Sequence, residues 1–185
     1  MLLNSTKSQY ERKDYHQIYQ LTVSSDDDDN DDELEEKENV VLNMTHKLII
    51  IYGIAAGISY LHSHDILHRN LNPSSIFLDD SLFPKISGLD ISKELIQSSP
   101  YDEPRKDGKL KGEKKYLAPE VLSKLEYGKP NDVYAFSLVV YEIMTGKSIY
   151  QDFDKTIDLI ENVSKQGKRP TFECEIPSCY QNLIE

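Results

Sequence analysis

The residues most open to a chemical reading lie in ILHRNLNPSSIFLDD, residues 66 to 80, where two amides and two hydroxyls follow a histidine and an arginine. From Asn70 to Ser75 the polar side chains are Asn70, Asn72, Ser74 and Ser75, none of which is an acid or a base. An amide carries no proton that it can give up or accept near neutral pH, so this segment supplies hydrogen bonds and dipoles rather than acid–base catalysis. His62, His64 and His68 invite a metal reading, but their spacings straddle the end of an expected helix and do not suit one shared ion. Cys174 and Cys179 are the only cysteines. They lack the paired spacing of a zinc site and are read as reduced, packed thiols of a cytoplasmic protein.

The elements that must hold this loop are legible from periodicity. Ile51, Ile54, Ile58 and Leu61 repeat as on one buried face of a helix, expected over 46 to 62. The apolar run LIIIYGIAAGISYL, 48 to 61, is shorter than the ~18 residues that argue for a membrane span. After the loop, IFL (76 to 78) and PKIS (84 to 87), joined by DDSLF, suit a small β-hairpin. A polar loop is expected over roughly 88 to 115. Pro119 opens a short helix to 124, and Phe136, Val139, Val140 and Ile143 mark a longer one over 131 to 145, stopped at Gly146. Further helices are expected near 154 to 165 and 178 to 185. The fold class is therefore α+β, mainly helical, with no internal repeat.

Charge limits the partners. The net charge is −11, and residues 26 to 38 (DDDDNDDELEEKE), with ten acids and one lysine, supply −9 of it. No basic stripe offers itself to a phosphate backbone, so neither nucleic acid nor an anionic membrane is an expected partner. Residues 1 to 42 read as a disordered acidic tail that cannot bury enough apolar surface to offset the entropy of ordering. Ser24 and Ser25 each stand three residues before an acid, as acidophilic kinases accept. The N-terminus has no apolar core of roughly 7 to 15 residues, so no signal peptide is read and the expected location is cytoplasmic.

Several motifs in one order then give a resemblance. HRNLNPSSIFLDDSLFPKISGLDISK, from His68 to Lys93, resembles the HRDLKPxNILLDxxLxxKISDFGLSK stretch of eukaryotic protein kinases. YLAPE at 116 to 120 and NDVYAFSLVVYEIMTGK at 131 to 147 are similar to later kinase motifs. The resemblance covers 43 to 185 and implies the large, C-terminal kinase lobe, nearest to serine/threonine and tyrosine-kinase-like types, truncated at both ends. The small lobe is expected to be absent: Gly53 is the first glycine, so no glycine-rich phosphate loop precedes it.

The departures from the family pattern bear on chemistry. Asn70 stands where the catalytic aspartate would be, and Asn72 where a lysine would screen the transferring phosphoryl group. Ser75 replaces the asparagine that holds a second magnesium, and Gly88 replaces the metal-binding aspartate of DFG. Asp90, two residues on, would sit about 6.6 Å from that place along a strand, against metal–oxygen distances of ~2.1 Å. Glu113 takes the place of a threonine that touches the aspartate and lysine. Residues with structural roles in the family remain. His68 is expected to pack in an internal apolar column, Leu89 to fill the DFG phenylalanine's place, and Asp132 to accept hydrogen bonds from the loop backbone. By the same resemblance Arg69 either grips a phosphorylated segment, in which Tyr101 and Tyr116 are candidate acceptors, or is a surface loop residue. Glu120 is expected to lack its arginine partner.

The expected function is a catalytically inactive kinase-like scaffold, a pseudokinase fragment, that binds a protein partner over the face left open by the small lobe. Two alternatives stand beside it: a truncated or decayed kinase gene product, and a residual ATP-dependent serine/threonine protein kinase. No cofactor is expected, with ATP and magnesium entering only under the last.

Overall fold

A computed structural model describes residues 13–14, 42–95, 101–102, 109–153, 155–172 and 178–182. Strand β1, Lys13–Asp14, lies inside the segment read as a disordered acidic tail and pairs antiparallel with Phe77 and Leu78. The extended backbone at 13–14 there finds a strand edge. The acidic run and the two serines before it lie outside the described residues.

Helix α1 runs Met44–Ser63. It starts two residues earlier than expected because the Asn43 side chain accepts the His46 N–H at 3.0 Å, satisfying one of the first-turn donors that a helix leaves free. At 20 residues and a mean hydropathy of 1.3, α1 is long and apolar enough to cross a membrane on length and composition alone. In this structure Ile50, Ile51, Ile54 and Ile58 are instead buried in the core, while Tyr52 and Tyr60 lie on the exposed side.

Strand β2, Ile66–Leu67, leads into the polar loop, which closes with a 3₁₀ turn at Pro73–Ser75. The expected hairpin follows as β3, Ile76–Leu78, and β4, Pro84–Ile86, with Ile76 opposite Ile86 and Leu78 opposite Pro84. The Asp79 carboxylate fixes its turn by accepting the N–H groups of Ser81 (3.1 Å) and Phe83 (3.0 Å). The hairpin lies hard against α1. A Cβ on Gly53 would fall 2.4 Å from Pro84 Cγ, and one on Gly57 would fall 2.6 Å from Ile86 Cδ1. Only a residue without a side chain permits that approach.

The stretch expected as polar loop contains two further pairings. Strand β5, Lys93–Glu94, pairs with β2. Strand β6, Tyr101–Asp102, pairs with β7, Tyr127–Gly128, which follows helix α2, Pro119–Lys124. Helix α3 runs Lys129–Thr145, with Val139, Val140 and Ile143 buried. Helix α4, Thr156–Leu159, continues as a π-helical turn over Ile160–Lys165, and α5 is Ser178–Gln181.

Beside a small cluster of Leu138, Tyr141 and Ile149, two larger apolar clusters form the core. One joins Ile50, Ile54 and Ile58 of α1 to Leu71, Ile76 and Leu78, and to Ala135, Val139 and Ile143 of α3. The other gathers Leu67, Val121, Leu122, Tyr127, Leu159 and Val163. Because α3 is buried nearly all round, it is the central post of the molecule, and its N-terminal turn lies under the polar loop.

Candidate functional site

The loop hangs from Asp132, in the first turn of α3 and 2% exposed. Its Oδ2 accepts the His68 N–H at 2.9 Å, and its Oδ1 accepts the Arg69 N–H at 2.8 Å. His62 Nε2, at the end of α1, donates to Oδ2 at 2.9 Å. A carboxylate buried this deeply needs several strong donors to offset its lost hydration, and it has them from the loop and from α1. The role of His62 was missed in the sequence, since nothing local marks a partner 70 positions away.

His68 is fully buried. Its Nδ1 accepts the Asn70 N–H at 3.3 Å, so Nε2 carries the proton and donates to the Ser87 carbonyl at 2.7 Å. Burial pulls the imidazole pKa below the usual histidine value, against the opposing pull of the Ser87 bond and of the Asp132 charge. His64 turns to the Tyr60 carbonyl (2.9 Å), so the three histidines serve three different partners. Among the described residues no group of His, Cys, Asp or Glu is arranged to hold a metal ion.

Arg69 corrects one of its two expected placements. It is not a surface residue but is 6% exposed, with its guanidinium 4.7 Å from the centre of the Tyr127 ring. Such a contact stabilises a cation while it is desolvated. Tyr127 in turn donates its hydroxyl to the Lys111 carbonyl (2.9 Å) and accepts the Lys111 N–H (2.8 Å). Tyr127 was not singled out in the sequence, and no local signal could have found it.

Asn70, Asn72 and Ser75 come together, and their lone pairs decide what they can do. Asn70 Oδ1 accepts from Glu113 N (2.9 Å) and Asn72 Nδ2 (3.2 Å). Asn72 Oδ1 accepts from Ser74 N (2.9 Å) and Ser74 Oγ (2.5 Å). Ser75 Oγ donates to the Asn72 carbonyl (2.8 Å) and accepts the Asn72 N–H (3.1 Å), closing a capping box. An amide oxygen has two lone pairs and a hydroxyl oxygen two. Both amide oxygens are therefore saturated, and Ser75 retains a single acceptor site.

Magnesium and ATP are the groups that the resemblance implies. Magnesium requires an octahedron of oxygens at ~2.1 Å, normally with one or two carboxylates from the protein. The donor set does not fit it: saturated amide oxygens, one hydroxyl lone pair, and Gly88, which has no side chain and turns the chain at φ 78°. Asp90 follows in the 3₁₀ turn Leu89–Ile91 and is exposed, raising the His68 pKa slightly by its charge.

Five further positions were read in the sequence. Glu113 contributes its backbone N–H to Asn70, while its side chain is exposed. Leu89 does not fill a buried slot: it is 46% exposed, because the turn at Gly88 carries it outward. Glu120 is not unpaired, since its Oε1 accepts from Asn131 Nδ2 at 2.5 Å, and Asn131 Oδ1 accepts the Gly128 N–H. Tyr116 donates to the buried Glu142 at 2.7 Å, while the residues around Tyr101 lie largely outside the described set.

The described residues thus form a mainly helical body with one small hairpin and a loop hung from the first turn of a buried helix. The family model for protein tyrosine and serine/threonine kinases matches residues 14–185, and the chain belongs to that family. It is 34% identical over 139 residues to a cysteine-rich receptor-like protein kinase of Arabidopsis thaliana, covering 74% of this chain and 22% of that protein. It is 30% identical over 150 residues to the dual specificity protein kinase shkA of Dictyostelium discoideum, covering 79% and 28%. An inactive leucine-rich repeat receptor-like serine/threonine-protein kinase of Arabidopsis thaliana is 27% identical over 147 residues, covering 76% and 23%. The chain thus spans less than a third of the length of these relatives.

Proposed function

We propose that this kinase-family chain does not transfer phosphate and works by holding a protein partner. The observation that carries the reading is the saturation of the Asn70 and Asn72 oxygens: they are spent on Glu113 N, Asn72 Nδ2 and Ser74, so neither offers a lone pair to a metal, and an amide is no base for a substrate hydroxyl. Losing one general base costs ~10²–10⁴ in rate, and losing the metal ligand acts at a separate step. A relative that carries the word inactive in its name agrees with this reading. The partner would cover apolar surface in the connections that follow the loop, where Leu89 is 46% and Phe83 is 56% exposed. The acidic run then keeps the body soluble.

Purified protein given radiolabelled ATP with magnesium or manganese is expected to incorporate no label into itself or into generic protein substrates. Incorporation that Asn70→Ala abolishes would sink the proposal. A residual serine/threonine kinase is the second reading, favoured by relatives whose names are those of kinases without qualification. Magnesium-dependent nucleotide binding in a thermal-shift titration would support it. A transition midpoint that saturating nucleotide and metal leave unmoved would end it.

A further inference from the structure

The acceptor at position 70 also tethers a neighbouring segment of chain. Lys111–Glu113 runs across the loop and is held there at three successive residues, each by a different contact. Lys111 exchanges two hydrogen bonds with the Tyr127 hydroxyl, at 2.8 and 2.9 Å. Gly112, at φ 92°, lies so close that a Cβ on it would fall 2.6 Å from the Arg69 carbonyl oxygen. Glu113 gives its N–H to Asn70 Oδ1 at 2.9 Å. Tyr127 is itself anchored by the Arg69 guanidinium over its ring, so two neighbouring loop residues reach the same strap by separate routes.

We propose that Asn70 is a positioning residue, a latch that keeps the Lys111–Glu113 strap closed on the loop without nucleotide, metal or phosphate. The two hydrogen-bonded contacts use backbone groups, an amide and a phenol, and the third is steric. The latch needs an acceptor at position 70 rather than an amide as such. Aspartate would accept the same N–H, whereas alanine would leave it to water. This inference stands whether or not the loop transfers phosphate.

The test is residue-resolved hydrogen exchange on the purified protein and its Asn70→Asp, Asn70→Ala and Tyr127→Phe variants. Exchange at the Ile149 amide, which donates to Glu142, serves as the reference for the rest of the fold. In Asn70→Ala, exchange at Glu113 should rise roughly fivefold relative to Ile149, as expected for one lost hydrogen bond. The Lys111 amide should rise with it, although its own bond to Tyr127 is intact. Asn70→Asp should stay within about twofold of the wild type. Tyr127→Phe should speed exchange at Glu113 as well as at Lys111, which keeps the test open if the alanine variant fails to fold. Unchanged exchange at Glu113 in either Asn70→Ala or Tyr127→Phe would overturn the latch, as would an aspartate variant that opens as far as alanine.

Discussion

At the scale of single residues, Asp132 and His68 show that the loop keeps its shape by burying one charge and neutralising another group. Asp132 is tolerable in the interior because two backbone N–H groups and an imidazole point at its oxygens. His68 is tolerable because it stays neutral, with one nitrogen donating to Ser87 and the other accepting from Asn70. Its pKa is lowered in the folded state, so the unfolded chain binds the proton more readily as pH falls. The contribution of neutral His68 is thus complete above the unfolded value of about 6.5 and is lost as pH drops from there toward the folded value, at up to about 1.4 kcal/mol per pH unit. Urea midpoints of the wild type and of His68→Gln, measured from pH 7.5 to 5, should diverge at the high end and draw together as pH falls. A constant difference would mean that His68 is not held neutral by burial.

At the scale of elements, helix α1 and the β3–β4 hairpin are locked by what is missing at Gly53 and Gly57. Replacing an interior helical glycine by alanine ordinarily stabilises a helix by about 1 kcal/mol. Here the added methyl would meet Pro84 Cγ at 2.4 Å, and overpacking costs about 1–3 kcal/mol. Gly53→Ala should therefore lower the thermal midpoint, while Ser59→Ala on the exposed side of the same helix should leave it level or raise it. If both variants raise the midpoint, α1 does not pack on the hairpin this closely. The elements themselves were legible because their signals are local: an isoleucine repeat for α1, a turn flanked by apolar runs for the hairpin, Pro119 and Gly146 as boundaries. The pairings β2–β5 and β6–β7 were not, since two-residue strands carry no periodicity and their partners are distant in sequence. The site divides in the same way. The residues of the loop were readable from type and order, but the burial of Arg69 under Tyr127 and the Glu120–Asn131 pair depend on distant chain. Leu89 failed as a core residue because Gly88 turns the backbone, a conformational property that a hydrophobicity pattern does not carry.

At the scale of the molecule, the contacts of the polar loop join the two larger apolar clusters into one unit. They meet at the polar loop: Leu67, just before it, belongs to the cluster around α2, and Leu71, within it, belongs to the cluster around α1. Between them the chain is tied to α3 through Asp132, so neither cluster can come apart without exposing that carboxylate or the N–H groups it satisfies. A protein that serves as a scaffold needs this coupling, whereas a decayed product would be free to lose it. Ile54→Ala and Leu67→Ala remove fully buried side chains from different clusters, and each should cost about 2–5 kcal/mol. With twelve tyrosines and no tryptophan, tyrosine fluorescence reports packing while far-ultraviolet circular dichroism reports helix. Urea transitions followed by the two probes should coincide in the wild type, and either substitution should move both probes together. Separation of the curves by Ile54→Ala alone would show that the clusters fold independently, and the loop between them would then be a linker rather than the joint that the Asp132 contacts describe.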